Sequence, residues 1–205
     1  MLVTNEFESL SNHSEVFEAS IRILDFLNGI MFVRDPARKP LQPGAIHERR
    51  EDGRWSAGTI LGKATAFENR DRFFAPTVVL QAPGSAPPPP APRPPHMVWM
   101  TEAIRDDTLA DVLTFLRGEP DWFNLYKAFE LMRDDINRSL GQDKAEQMGW
   151  PAKSTLDEFC ESAQVHRHSR VKWGRFDLST AMKIDKARAL VQSLARTWLD
   201  WRYRP

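Results

Sequence analysis

The sequence predicts an α+β protein: an N-terminal helix with a small antiparallel sheet, then an all-α bundle of about four helices. Three observations lead there. Apolar residues recur at three- and four-residue spacing near the N-terminus and again from about residue 105 onward. Between those stretches lie short β-prone runs divided by turn residues. A proline tract then marks a sharp change of composition.

The first helix is expected to start at Ser14 as its cap, with Phe17, Ile21, Leu24, Leu27 and Ile30 or Met31 on one face. Asn28-Gly29 suits a left-handed stop. Strand-like runs follow at Ile30–Arg34, Ala45–Arg49, Trp55–Ala66 and Phe73–Gln81, with Asp52-Gly53 as a hairpin signal between the second and third. Eight of the fifteen prolines fall in the fourteen residues Ala82–Pro95. Proline has no amide hydrogen and a fixed φ, so this tract is expected to be exposed polyproline II. It is a loop inside one sheet if Met97–Thr101 is a strand pairing with Thr77–Gln81, and an interdomain linker if not. The β-rich flanks favour the loop.

The later helices are marked more sharply. Asp107 or Thr108 caps a helix carrying Leu109, Val112, Leu113 and Leu116, and Gly118 stops it. Pro120 opens a second, with a stripe of Trp122, Leu125, Phe129, Met132, Ile136 and Leu140 ending at Gly141. A third starts near Ser154 or Thr155, where Thr155 and Glu158 have capping-box spacing, and buries Leu156, Phe159, Cys160 and Ala163. The last runs from about Lys183 to Arg202 on Ile184, Ala187, Val191, Leu194 and Trp198. Short connections predict an antiparallel bundle. The expected division is an α+β part at residues 1–101 and a bundle at 102–205.

Composition narrows the function classes. Among 205 residues, 28 Lys+Arg balance 28 Asp+Glu, which gives no support to a wholesale polyanion binder. One cysteine excludes an internal disulfide framework and fits a reducing compartment, so a cytoplasmic location is expected. Met1–Leu10 does not read as a secretory signal, and no stretch reaches membrane-spanning length. The neutral total hides a division. Residues 102–161 hold 14 acids and 7 bases, whereas residues 162–205 hold 3 acids and 10 bases.

The basic stretch peaks at His166–Arg175, HRHSRVKWGR, expected as a loop directly after the third helix. Arg167, Arg170, Lys172 and Arg175 can neutralise phosphates, and Trp173 offers a stacking surface, a composition that suits RNA or single-stranded DNA. The same charges can instead dock on the acidic helices of the chain itself. His166 and His168 stand two apart, with Cys160 and Glu161 nearby, but no zinc-binding spacing supports them and no metal or cofactor is expected. Cys160 lies on an apolar stripe and reads as core. Glu130 and Asp134, one turn apart, read as solvated charge or partners of Lys127 and Arg133. Trp173 and Trp201 are the tryptophans most easily imagined against a partner.

The second half resembles HEPN-like helical bundles of bacterial proteins. The resemblance rests on Asp121–Asp135 (DWFNLYKAFELMRDD), the Arg167-His168 dipeptide after a helix, and Ala181–Leu199 (AMKIDKARALVQSLARTWL), and covers about half the chain. Many such proteins are metal-independent ribonucleases of toxin or phage-defence systems; others are catalytically dead bundles used for contacts. The resemblance implies a site of His168 with Arg167, or His166, in which histidine takes the proton of a ribose 2′-hydroxyl and arginine stabilises the phosphorane-like transition state. Active members carry an arginine four to six residues ahead of the histidine, and no histidine here has one. The expected function is therefore a non-catalytic module binding RNA or a protein partner. A ribonuclease, and a structural module forming a homodimer through Trp201, are the competing expectations.

Overall fold

The computed structural model describes residue 10 and residues 12–35, 39–43, 45–46, 59–60, 95–141, 145–167 and 181–203. By their contacts they belong to two units, Met1–Pro43 with Pro94–Pro205, and Gly44–Arg93. The first unit is a helical bundle. Its helices are α1 (His13–Arg34), α2 (Pro95–Ala103), α3 (Asp107–Phe115), α4 (Trp122–Leu140), α5 (Lys153–Arg167) and α6 (Ile184–Arg202), with a 3-10 turn at Ala145–Met148. Among the described residues no helix is long and apolar enough to cross a membrane.

The α+β expectation is overturned. In the second unit the described β structure is one two-residue antiparallel ladder, Ala45–Ile46 on Thr59–Ile60. That is far less than the expected sheet; Asp52-Gly53 and Phe73–Gln81 lie outside the described residues. Two of the expected strands are helical. Ile30–Arg34 is the end of α1, because Phe26, Ile30 and Val33 form a buried stripe of helical period and this burial outweighs the β preference of the isolated run. Met97–Thr101 lies in α2, where Pro95 takes the first position without losing a needed amide and Trp99 and Ala103, four apart, are buried. The loop inside one sheet therefore loses its strand partner at Met97–Thr101. The remainder of the proline tract, residues 82–94, lies outside the described residues.

The contacts also divide the chain elsewhere than at residue 101. Both α1 and α2 belong to the same unit as the later helices, and α1 packs on α3 and α6. Asn28-Gly29, expected to stop α1, does two other things. A Cβ on Gly29 would lie 2.3 Å from the Leu113 carbonyl oxygen and 2.7 Å from its Cα, so the missing side chain lets α1 and α3 touch backbone to backbone. The Asn28 amide, only 8% exposed, donates to the Leu41 carbonyl at 2.9 Å and accepts from the Leu41 amide at 2.6 Å. It thereby ties the chain leaving α1 back to the helix. The last carbonyls of α1 are taken by α6, Val33 by Gln192 and Arg196 at 3.2 and 2.8 Å.

Helix starts follow capping chemistry, shifted by a residue or two from expectation. Asn12, Asp106 and Asp121 accept from the amides of Glu15, Leu109 and Asn124. Gly141, at φ 92°, closes α4 as expected, whereas α3 already ends at its cap Leu116, two residues before the left-handed Gly118 at φ 71°. The α4 stripe buries Leu125, Phe129, Met132 and Ile136 against Phe159 of α5 and Val191, Leu194 and Trp198 of α6.

One polar cluster crosses this core. Asp135 of α4, 4% exposed, accepts from Trp198 Nε1 at 2.9 Å and pairs with Arg202. Arg202 also donates to Asp106 at 2.7 Å, and the Tyr203 hydroxyl donates to the same oxygen at 2.5 Å. Burial pushes the Asp106 carboxyl up, but the Tyr203 hydroxyl, the Leu109 amide and the Arg202 guanidinium more than offset it and hold it below its ordinary value. Burial and the adjacent Asp106 push the Tyr203 phenol up, so it stays a donor. A carboxyl with a depressed folded pKa stabilises the fold at pH values above its unfolded pKa, and that contribution disappears as pH falls through the folded one. The stability gap between wild type and Asp106→Asn, a variant that keeps a competent helix cap, is accordingly expected at neutral pH and narrows below about pH 4. Urea midpoints measured across that range check it; a gap independent of pH contradicts the ionised role.

Candidate nucleic-acid interface

The end of α5 and the start of α4 meet because the two helices run antiparallel. Asp121 caps α4, which places Trp122 at its first position. Across from it His166 stands in the last turn of α5, and the two rings stack at 4.8 Å between centroids with 8° between planes. His166 is exposed and Trp122 half-buried. Beneath them Trp122 continues into the aromatic core, 6.1 Å from Phe159, which lies 5.4 Å from Phe129. The stacked pair is thus an aromatic ledge with one edge in solvent and the other anchored.

Polar residues of α4 and α5 are engaged with one another. Gln164 donates to the Tyr126 hydroxyl at 3.2 Å, and Lys127 pairs with Glu130 at 2.9 Å. Burial, followed by the Glu130 carboxylate, pushes the Tyr126 phenol up. Asp134 stands 3.9 Å from Arg133. The Cys160 thiol is pushed up mainly by burial, with Asp157, Glu130 and Glu161 adding to the effect against Arg133, so it is a poor nucleophile at neutral pH. Among the described residues no three His, Cys, Asp or Glu side chains gather as a metal ligand set.

Of the residues expected to carry function, the structure describes His166 fully and Arg167 in its helical backbone. His168, Arg170, Lys172, Trp173 and Arg175 lie outside the described residues. His166 and Arg167, expected in a loop, are the last two residues of α5.

The acidic and basic halves do meet, through α6. Lys186 pairs with Glu158 at 2.8 Å, Arg202 with Asp106 and Asp135, and Arg188 donates to the Pro120 carbonyl at 3.1 Å. Arg196 is occupied by the end of α1. Ser162, fully buried, accepts from the Met182 amide at 2.9 Å and so fixes the point where the chain returns to enter α6.

Trp122 was expected in the core, and its pairing with His166 had no local sequence signal, because 44 positions separate them. The stripe of α5 nevertheless points to it. His166 is three residues past Ala163 and seven past Phe159, so extending the apolar face by one turn reaches it. No family model, curated protein or solved structure matches the chain.

Proposed function

We propose that this protein is a non-catalytic RNA-binding bundle of the cytoplasm, with residues 166–175 as its contact region and the Trp122–His166 ledge as a base-stacking surface. The observation that carries this is the ledge itself: an aromatic pair, His166 exposed and Trp122 half-buried, at the end of α5 directly before the basic run in sequence. Single-stranded nucleic acid is held by that combination, stacking on a ring face beside cations that neutralise phosphate. A second observation supports it. Asp106, Asp135 and Glu158, acids on which the basic segment might have docked, already hold cations of α6. The role accords with the contact-making members of the HEPN-like group rather than the cleaving ones.

Fluorescence anisotropy with a labelled single-stranded RNA tests the proposal. Binding is expected to weaken steeply with salt and to leave the RNA intact. Trp122→Ala is expected to cost about 1–3 kcal/mol of affinity. Replacing Arg170, Lys172 and Arg175 together is expected to lower the salt slope by about 2. Absence of binding at low salt ends the RNA role. Cleavage that is lost in His168→Ala would replace it with the ribonuclease.

A further inference from the structure

The boundaries of the two units place residues 44–93 between α1 and α2, so the helical unit is built from two separate stretches of chain. Among the described residues, contacts join those two stretches directly. Phe26, Ile30 and Val33 of α1 are buried in the same core as α3, α4 and α6, and Gly29 brings the α1 backbone onto Leu113. The carbonyls ending α1 are held from α6 by Gln192 and Arg196. The points where the chain departs and returns are themselves tied. Arg34, the last residue of α1, donates to His96 Nδ1 of α2 at 2.7 Å; a guanidinium can only donate, so this ring nitrogen accepts. Seven residues beyond Arg34, Leu41 is held by both hydrogen bonds of Asn28. The outgoing chain is pinned before residue 44, and the incoming chain is pinned two residues after Pro94.

We infer that residues 44–93 are an insertion carried on a pinned stem, and that the helical unit remains assembled when the chain is cut within it. The covalent path through the insertion adds local concentration to the packing of α1 but supplies none of the contacts named above. A bundle of this kind tolerates engagement, exchange or cleavage of its insertion without losing the helices that carry the aromatic ledge. The inference stands independently of what the ledge binds.

The test uses the full chain with a recognition sequence for a site-specific protease placed between Ala66 and Phe67. After cleavage the two fragments are expected to co-elute in native size-exclusion chromatography, to keep the helical circular dichroism of the uncut protein, and to separate in denaturant. Separation under native conditions, or loss of helical signal on cutting, overturns the inference. Arg196→Gln supplies the second measurement, because it removes contacts that join the fragments across the cut. It is expected to leave the uncut protein folded and to speed dissociation of the cut protein by about tenfold. Equal dissociation rates with and without Arg196 would show that its contacts do not hold the fragments together across the cut, and would overturn that part of the inference.

Discussion

Asp135→Ala is expected to destabilise the protein by about 3–5 kcal/mol, the largest effect of any single substitution considered. The reason is what the substitution leaves behind. Trp198, fully buried, loses the acceptor 2.9 Å from its indole nitrogen, and Arg202 loses one of its two carboxylates while its guanidinium stays packed over the rings of Trp198 and Tyr203. A buried donor without an acceptor retains its full desolvation cost, and a partly buried cation with half its counter-charge adds to it. Asp135→Asn preserves an acceptor for Trp198 and removes only the charge, so its loss should fall well below that of alanine. Urea denaturation of the two variants and of Trp198→Phe checks the ordering. The Asp135→Ala and Trp198→Phe effects should be strongly non-additive, since both delete one shared bond. A loss under about 1 kcal/mol for Asp135→Ala would mean that the cluster is solvated and not part of the core.

Gly29→Ala is expected to lower stability by about 3 kcal/mol, against the usual preference of helices. In an exposed helix interior the same change stabilises by about 1 kcal/mol. Here the added methyl meets backbone of Leu113 at 2.3–2.8 Å, and backbone in the last turn of a packed helix cannot turn aside as a side chain would. The helices must move apart, and Val33, Ile30 and Phe26 lose packing with them. In a protein of this size the melting temperature should drop by roughly 6–12 °C. A rise in melting temperature would show that α1 and α3 do not approach each other at this point.

Gly29 also shows why part of the fold was hidden in the sequence. Asn28-Gly29 has the composition of a helix stop; α3, more than eighty residues later, makes Gly29 a crossing point, and Leu41 makes Asn28 a clamp. The helices from Asp107 onward were legible because their evidence is local, as in the α4 stripe and its stop at Gly141, although the cap of α4 is Asp121, one residue past the Pro120 expected to open it. Ile30–Arg34 and Met97–Thr101 misled for the opposite reason. Their β-branched and aromatic content is a weak preference, and burial of Val33 and Trp99 on helical faces overrides it. The cluster of Asp106, Asp135, Trp198, Arg202 and Tyr203 could not be read in advance, because its members come from three helices and each is individually ordinary. Of the candidate site, the basic run was visible as composition. The ledge beneath it was only implicit in the continued stripe of α5.

Asp106 joins two events that are separate in most bundles. Its carboxylate starts α3 by accepting from Leu109, and it also receives Arg202 and Tyr203 from the final turn of α6. A C-terminal turn ordinarily frays with little cost, exchanging its amides long before the interior opens. Here the last turn of α6 cannot release without stripping partners from the residue that nucleates α3, and α3 in turn supports α1 through Leu113 and Gly29. The last turn of α6, the first turn of α3 and the backbone crossing therefore belong to one cooperative unit, and slow amide exchange should extend to Tyr203 instead of stopping at the core.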